Sequence, residues 1–275
     1  MQKIPFVKMS GSGNDFIIID NRAGTWNHVV TSAFVRAVCR RKISVGADGL
    51  IFIERSDTVD FLWRFFNADG SPAEMCGNGG RCAARFAVLN GIGGNTLSFE
   101  TIAGVVHAEV SGAVVKIQLP APKNLELNIR LEVDGTALVL HSINTGVPHI
   151  VLFVDDLETA RVKELGERLR FHGRFQPAGT NVNFVSQSSA DMLHIRTYER
   201  GVEDETLACG TGSVAAALVA IAMGKAASPV QVMTRSGEIL KVHAPDMSPP
   251  FHEVYLEGGA KVIYSGEIWD EAYEG

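Results

Sequence analysis

Apolar residues recur along this chain in short runs, a pattern that predicts many strands and few helices. Residues 16–19 and 50–54 are continuous apolar runs, which are typical of strands buried on both faces. Residues 31–41 have apolar positions at helical spacing, and the Ala-rich segments 76–90 and 209–223 predict two buried helices. The other predicted strands are 6–9, 60–67, 96–101, 104–110, 113–119, 143–154, 180–186, 192–198, 230–233, 238–243, 253–257 and 261–268, and a fourth helix is predicted at 156–169.

The second half of the chain repeats the first. Cys76 begins the sequence Cys-Gly-Asn-Gly and Cys209 begins Cys-Gly-Thr-Gly, and Ala-rich sequence follows each of them. The two cysteines are 133 positions apart (209 − 76). Because one offset aligns landmarks in several separate segments, we interpret the chain as two copies of one folding unit. The same offset relates Gly13 to Gly146, Gly46 to Gly179, Gly77 to Gly210, Gly79 to Gly212, Ala83 to Ala216, Thr101 to Thr234 and Gly104 to Gly237.

The repeat predicts two domains. We expect residues 1–122 to form an N-terminal repeat domain that is completed by the last strand, 264–275, and residues 123–263 to form a C-terminal repeat domain. Each half contains mostly meandering strands and two helices, without the regular strand-helix alternation of a doubly wound sheet, so we predict an α+β fold. Ligand pockets often lie between domains, and we expect the two Cys helices to begin at such a cleft.

Each duplicated cysteine is predicted at the start of a helix. The free amides and the macrodipole of a helix N-terminus favour negative charge, so Cys76 and Cys209 are expected to titrate below the usual value of about 8.5. One thiolate and one thiol on opposite faces of an amino acid can remove and return its α-proton, which inverts the stereocentre. The backbone amides expected to hold the substrate carboxylate belong to Gly77, Asn78, Gly210 and Thr211.

Composition excludes several other classes of protein. With 275 residues, a net charge of −6 and a pI near 5.8, the chain does not have the charge of a nucleic-acid binder. The longest apolar run, 214–223, is shorter than the roughly 20 residues of a membrane helix, and we see no signal peptide, so we expect a cytoplasmic protein that acts on a small molecule. The four cysteines predict neither a disulfide framework nor a metal site, and no Lys lies in a recognisable phosphate cup, so no cofactor is expected.

Two active-site segments resemble those of the diaminopimelate epimerase family. Asn67-Ala68-Asp69-Gly70-Ser71, followed after four residues by Cys76-Gly77-Asn78-Gly79-Gly80-Arg81, is similar to the family signature. Tyr198-Glu199-Arg200-Gly201 before Ala208-Cys209-Gly210-Thr211-Gly212 is similar to its second active-site segment. Asn14, Pro148-His149 and Asn181 also fit, so the resemblance covers nearly the whole chain.

This resemblance implies a cofactor-independent epimerase that interconverts LL- and meso-diaminopimelate for lysine and peptidoglycan synthesis, with Cys76 and Cys209 as the acid–base pair. It implies two pseudo-symmetric domains, each a strand barrel around a central helix, and a homodimer. By the same resemblance Glu199 binds the reacting ammonium and His149 lies near the reacting centre. The residues implied at the distal amino-acid group are Asn67, Asn181 and Arg200, with Asn14 nearby. Two positions depart from the family: Val147 stands where the family often has Asn, and Gly49 stands where some members have Gln.

Two alternatives to this function remain open. Proline racemases and hydroxyproline epimerases share the fold and use two thiols, although their first motif normally has His where Asn78 stands. A two-lobed amino-acid-binding protein would bind its ligand without exchanging the α-proton. Cys39 and Cys82 lack the duplicated context, so we expect both to be structural.

Overall fold

The computed structural model describes residues 3–273 and has the predicted α+β class, with many strands and few helices. The chain divides into two compact units, Met1–Ile117 with Gly258–Gly275 and Gln118–Glu257. The predicted domain boundaries, 122/123 and 263/264, lie a few residues from these divisions and stay a prediction. Of the predicted last strand, 264–275, residues 274–275 lie outside the described part of the chain.

Within residues 3–273, the first unit consists mainly of neighbouring sheet strands and two α-helices. Its strands lie in the order β17-β1-β2-β3-β4-β5-β6-β7, and the pairs β2–β3 and β4–β5 are parallel while the others are antiparallel. The strands are β1 (Ile4–Gly11), β2 (Asn14–Asp20), β3 (Gly49–Glu54), β4 (Phe61–Asn67), β5 (Thr96–Thr101), β6 (Gly104–Ser111), β7 (Val114–Leu119) and β17 (Lys261–Ile268), and the helices are α1 (Ser32–Cys39) and α2 (Gly77–Leu89).

The second unit repeats this arrangement. Its order is β8-β9-β10-β11-β12-β14-β15-β16, with parallel pairs at β10–β11 and β12–β14, and β13 pairs with β12. The strands are β8 (Lys123–Val133), β9 (Thr136–Asn144), β10 (Pro148–Phe153), β11 (Asn181–Ser189), β12 (Met192–Glu199), β13 (Asp204–Thr206), β14 (Val230–Met233), β15 (Ile239–His243) and β16 (Val254–Gly259), and the helices are α3 (Val162–Arg170) and α4 (Gly210–Ala222).

One helix of each unit lies inside its own sheet. Helix α4 packs against β9, β10, β11, β12, β14 and β15, and every residue from Gly212 to Ile221 is buried. Helix α2 packs in the same way against β1, β2, β3 and β6. In the first unit, helix α1 covers the other face of β3 and β4. Strands with a helix on both faces must be apolar on both, which explains the continuous apolar runs at 16–19 and 50–54.

Small residues let the inner helices approach the strands closely. A Cβ atom at Gly79 would lie 3.4 Å from Phe16 Cε1 and from Ile51 Cδ1, so a larger side chain has little room at that position. Interiors are packed to crystal-like density, and a helix this close to its strands is held at a fixed height and rotation. The first residue of each inner helix, and the cysteine before it, are therefore fixed in position as well.

The hairpin β8–β9 was not predicted. Its first strand alternates apolar and polar residues from Leu125 to Val133, and Asp134 and Gly135 both have positive φ, 51° and 75°, as a two-residue hairpin turn requires. The pairing of β8 with β9 mirrors the pairing of β17 with β1. Strand β8 therefore occupies in the second unit the place that β17, the last strand of the chain, occupies in the first.

Two predicted elements differ in extent from those of the structure. Helix α3 begins at Val162 and not at Asp156, because the Asp156 carboxylate accepts from the Glu158 amide at 2.9 Å and from the Thr159 hydroxyl at 3.0 Å. Such side-chain bonds favour a turn over a helix. The segment 199–207, for which neither a strand nor a helix was predicted, contains the short strand β13.

Candidate functional sites in the two units

Cys76 is the residue that caps helix α2. Its backbone is extended, with φ −141° and ψ 118°, and its Sγ accepts from the Gly79 amide at 3.5 Å. The Cys76 carbonyl accepts the first helical hydrogen bond, from the Gly80 amide at 2.8 Å. The thiol is only partly buried. A cysteine in this position replaces the Ser, Thr, Asp or Asn that usually caps a helix, so its sulfur lies at the positive end of the helix dipole.

A chain of amides connects Asn78 to the loop before β2. Asn78 Nδ2 donates to Asn14 Oδ1 at 2.8 Å, and Asn14 Nδ2 donates to Asp48 Oδ2 at 3.0 Å. Arg81, whose side chain is fully buried, donates from Nη2 to Asn78 Oδ1 at 2.8 Å and to Ser12 Oγ at 2.6 Å. Because a guanidinium only donates and a carboxylate only accepts, Arg81 and Asp48 fix the orientation of both amides.

Charged residues hold the loop that contains Asn14. Lys8, which is almost fully buried, forms an ion pair of 2.8 Å with Asp15, and Arg41 contacts both Asp15, at 2.6 Å, and Asp48, at 2.7 Å. Burial by itself opposes ionisation of Asp15, but the hydrogen bonds and charges of Arg41 and Lys8 outweigh it and lower its pKa to about 2. Asp15 is therefore an anion at every physiological pH.

Asn67 lies at the end of β4, at the surface. Its Nδ2 donates to Ser71 Oγ at 3.0 Å. Its partner across the sheet is Gly49, where a Cβ atom would lie 2.6 Å from the Phe65 ring and 2.8 Å from the Phe66 carbonyl. Only glycine fits there without a shift, which gives a steric reason for the departure from Gln that the sequence shows at this position.

Cys209 is the N-cap residue of helix α4 as Cys76 is of α2, but its side chain makes no capping hydrogen bond to the helix amides. Its backbone is again extended, with φ −122° and ψ 109°, and its Sγ lies 3.5 Å from Thr211 Oγ1. His149 Nε2 lies 3.0 Å from the same hydroxyl. Burial lowers the pKa of the His149 imidazole to about 3, with the charge of Arg200 acting in the same direction, so this ring is neutral at physiological pH.

The remaining predicted residues of the second unit lie where β10, β11 and β12 begin or end. Asn181 donates from Nδ2 to the Pro148 carbonyl at 3.0 Å and accepts from the Arg200 amide at 2.9 Å. The Arg200 guanidinium donates to the Ala178 carbonyl at 2.8 Å. Burial raises the pKa of the Glu199 carboxyl, although the hydroxyl of Thr206 acts against that rise.

Sequence reasoning missed several residues that contact the predicted ones. Asp48, Arg81 and Ser12 orient the amides near Cys76, and Asn183 contacts His149 at 3.1 Å. Asn183 had a visible signal, because it is a polar residue between the apolar residues Val182 and Phe184 in the buried half of its strand. Arg81 lies within the signature segment, but nothing in the sequence indicated that its side chain is buried, because a charged residue in a helix is usually exposed.

No group of three or more His, Cys, Asp or Glu side chains within residues 3–273 is arranged to hold a metal ion. No helix in the same range is long and apolar enough to cross a membrane.

Comparison with known proteins identifies the family. A model of the family named diaminopimelate epimerase matches residues 6–119 and 141–263. The chain is 50% identical to the diaminopimelate epimerase of Aquifex aeolicus, over 98% of this chain and 99% of the relative. It is 46% identical to that of Chlorobaculum tepidum, over 94% of this chain and 99% of the relative.

Solved structures show the same fold in distant proteins. A phenazine biosynthesis protein of the PhzF family from Bacillus anthracis matches with a TM-score of 0.74 at 15% identity, over 98% of this chain and 100% of that one. A hydroxyproline epimerase from Agrobacterium vitis, with bound trans-4-OH-L-proline, matches with a TM-score of 0.70 at 12% identity, over 99% of this chain and 98% of that one. The family model and the close relatives, together with this fold, show that the chain belongs to the diaminopimelate epimerase family of isomerases.

Proposed function

We propose that this protein interconverts LL- and meso-2,6-diaminopimelate, with Cys76 and Cys209 as the two acid–base groups and without a cofactor. The observation that supports this most is the duplication: each unit places a cysteine at the N-cap of its inner helix. The close relatives, which bear the same name over nearly their whole length, support the substrate. As diaminopimelate is a precursor for lysine and peptidoglycan, the protein would serve those pathways.

The chemistry follows from two thiols in unlike protonation states. A thiolate removes the α-proton of the amino acid while the other thiol donates a proton to the opposite face, and the two exchange roles in the reverse reaction. The carbanion is stabilised as charge moves onto the α-carboxylate. The backbone amides of Gly77, Asn78, Gly210 and Thr211, at the starts of the two inner helices, are suited to hold that carboxylate.

Other polar residues of both units would recognise the rest of the substrate. Glu199 is proposed to bind the ammonium at the reacting carbon, and Asn67, Asn181 and Arg200 to bind the distal amino-acid group, with Asn14 nearby. His149 is proposed to lie close to the reacting centre. Since burial keeps its ring neutral, it acts there as a hydrogen-bonding group and not as an acid.

The mechanism also suggests where the protein works. Both thiols must be reduced to transfer protons, and thiols stay reduced in a compartment such as the cytoplasm, where we propose that the protein works. Cys39 and Cys82 are buried inside helices, and burial raises the pKa of Cys39 to about 12. Neither is therefore suited to proton transfer.

A homodimer is proposed on the basis of strand β17. Three successive residues of this strand, Val262, Ile263 and Tyr264, are 42%, 54% and 45% exposed. Successive residues of a strand point to opposite faces, so both faces present apolar side chains. Exposed apolar groups of this kind mark protein–protein contacts, and a second copy of the chain is the partner we propose.

Turnover of pure stereoisomers tests the proposed function. The purified protein, given LL-diaminopimelate, is expected to produce meso-diaminopimelate until the two are at equilibrium, as measured by chiral chromatography. Proline, trans-4-hydroxyproline and lysine at the same concentration are expected to keep their configuration. Inversion of proline or hydroxyproline would contradict the substrate, and tight binding of diaminopimelate without inversion would favour a binding protein.

The four cysteines provide matched variants for the same assay. Cys76→Ala and Cys209→Ala are each expected to lower kcat by about a thousandfold, the usual scale for loss of an acid–base group. Cys39→Ala and Cys82→Ala are the controls, and are expected to retain kcat within a few-fold. A Cys39→Ala loss as large as that of Cys76→Ala would contradict the assignment.

Glu199→Gln is expected to separate stability from substrate binding. Because burial raises the Glu199 pKa above its usual 4.5, the folded state favours the protonated carboxyl. The free energy of unfolding therefore falls as the pH rises from 4.5 through the raised pKa of the folded state. The variant should therefore melt at a higher temperature than wild type at pH 8 but not at pH 4. Loss of the ammonium partner should raise KM by about tenfold or more.

Thermal melts and initial rates of Glu199→Gln are compared with those of Glu132→Gln, which alters an exposed carboxylate on β8. The control should leave both quantities unchanged. An equal melting temperature at pH 8, or an unchanged KM, would contradict the corresponding role of Glu199.

Ile263→Asp is expected to convert the dimer to a monomer, because it places a carboxylate in the proposed interface. Sedimentation velocity measures the change. Ile43→Asp is the control, since Ile43 is 72% exposed but lies in the loop after α1. A monomeric wild type, or an Ile263→Asp variant that stays dimeric, would contradict the proposal.

A further inference from the structure

A line of hydrogen bonds leads from the interior of the second unit to the Cys209 thiol. Asn183 Nδ2 lies 3.1 Å from His149 Nδ1, His149 Nε2 lies 3.0 Å from Thr211 Oγ1, and Thr211 Oγ1 lies 3.5 Å from Cys209 Sγ. Asn183 is fully buried and His149 is 1% exposed. Polar side chains this deep must be hydrogen-bonded, and here their partners lead in one direction, towards the sulfur.

The orientation of the Asn183 amide is determined by its other partners. Its Nδ2 donates to the Ile150 carbonyl at 2.8 Å, and its Oδ1 accepts from Thr197 Oγ1 at 3.0 Å. A carbonyl has no hydrogen to give, so the NH2 group of Asn183 must face Ile150 and the amide is not free to flip. The second N–H of that group therefore donates to His149 Nδ1.

This donation selects the tautomer of His149. Since the ring is neutral and its Nδ1 accepts a hydrogen bond, its proton lies on Nε2. His149 Nε2 then donates to Thr211 Oγ1. The Thr211 oxygen is occupied as an acceptor, and its own hydrogen is available to donate to Cys209 Sγ.

The first unit lacks this line at the equivalent positions. His149 pairs with Asn181 across the parallel strands as Phe16 pairs with Gly49, so His149 corresponds to Phe16. Two residues further along β3 and β11, Asn183 corresponds to Ile51.

On the next strand, Asn183 pairs with Thr197 as Ile51 pairs with Phe65, so Thr197 corresponds to Phe65. The apolar set in the first unit includes an edge-to-face contact between Phe16 and Phe65, with ring centroids 6.0 Å apart. The fold therefore accepts apolar side chains at these three positions. The polar residues His149, Asn183 and Thr197 in the second unit are not required by the fold and need a functional explanation.

Gly212 shows how closely Asn183 approaches the helix. A Cβ atom at Gly212 would lie 2.4 Å from Asn183 Oδ1, whereas one at Gly79, its equivalent in the first unit, would meet its nearest atoms at 3.4 Å. Glycine at position 212 thus leaves the space that the Asn183 amide occupies next to the first turn of α4.

We propose that Asn183 is a positioning residue: it fixes His149 as the Nε2–H tautomer, so that the Thr211 hydroxyl donates to Cys209 and stabilises its thiolate. The value of this arrangement to catalysis rests on the proposed function, but its effect on Cys209 does not. A hydrogen bond to the charged form of an acid lowers its pKa, so loss of Asn183 raises the pKa of the Cys209 thiol.

Other ionisable groups on the strand faces that pack against α4 must stay constant in the test. Glu199 lies on the same face of β12 as Thr197, and the charge of Arg200 acts on His149. His141, on β9, and Lys225 lie near the end of α4. None of these four is altered in the variants below.

The intact, unliganded protein is alkylated with iodoacetamide at a series of pH values and then digested. Mass spectrometry of the peptides gives the alkylation rate of Cys209 at each pH, which measures its thiolate fraction. In Asn183→Leu the midpoint pH for Cys209 is expected to rise by about one unit, which lowers its rate at neutral pH roughly tenfold. Cys76, measured in the same spectra, is expected to keep its midpoint. An unchanged Cys209 midpoint would overturn the proposal.

Variants of Thr211 distinguish the relay from a general structural effect. Thr211→Val removes the hydroxyl and is expected to raise the Cys209 midpoint as Asn183→Leu does, whereas Thr211→Ser is expected to retain the wild-type midpoint. In the double variant Asn183→Leu/Thr211→Val the midpoint should equal that of Thr211→Val alone, because both substitutions remove the same hydrogen bond to Cys209. Additive shifts would overturn the relay.

The tautomer itself can be measured without a variant, should Asn183→Leu fail to fold. In 15N NMR of the histidine-labelled wild-type protein, His149 is expected to carry its proton on Nε2, and a proton on Nδ1 would overturn the proposal. Failure of the proposed function is distinguishable. A shifted Cys209 midpoint in a protein that does not invert diaminopimelate would refute that function only, and an unshifted midpoint in an active enzyme would refute the role of Asn183 only.

Discussion

Burial of an Ala-rich helix within its own sheet is the constraint on which both candidate sites depend. Helix α4 is buried from Gly212 to Ile221, and α2 lies so close to the strands that a Cβ atom at Gly79 would already be in van der Waals contact with them. Such helices have no freedom to tilt or slide, because interiors are close-packed. Their N-terminal amides, and the cysteines that precede them, are therefore preorganised before any ligand binds, which is the condition under which hydrogen-bond donors contribute most to catalysis.

The two repeats keep this backbone arrangement but differ in the groups around it. Near Cys76 the amides of Asn78 and Asn14 are oriented by Arg81 and Asp48. The second thiol has instead a neutral histidine and a threonine hydroxyl. On the proposed mechanism, the shared backbone supplies two like groups for the two faces of a carbon. On the same proposal, the unlike surroundings would allow one of them to be a thiolate while the other is a thiol.

Much of this organisation could be predicted from the sequence, because the features concerned are local or repeated. The Cys-capped helices carry their signal in a few residues, and the offset between Cys76 and Cys209 revealed the duplication. The strand β8 had the alternating pattern of a strand, but it fell where a break between domains was expected. Helix α3 was predicted too long because the apolar spacing does not show that Asp156 prefers to bond its own backbone neighbours.

Contacts between distant residues could not be predicted in the same way. Asp48 and Asn14 are 34 positions apart, as are Asn183 and His149, and only the register of neighbouring strands brings each pair together. That register also shows where the constant offset fails: Phe16 pairs with Gly49 but His149 pairs with Asn181, so the repeat is one residue shorter between β10 and β11. A single-sequence offset has no means of showing such a change.

The central claim is that two different groups act on opposite faces of one carbon, and the fate of the α-hydrogen tests it most directly. LL-diaminopimelate is converted in deuterium oxide, and the reaction is stopped at low conversion. The meso product is expected to carry deuterium at the inverted carbon while the recovered LL substrate retains hydrogen, because the group that donates is not the group that abstracts. Equal deuterium in product and recovered substrate would show a single base acting on both faces and would contradict the account.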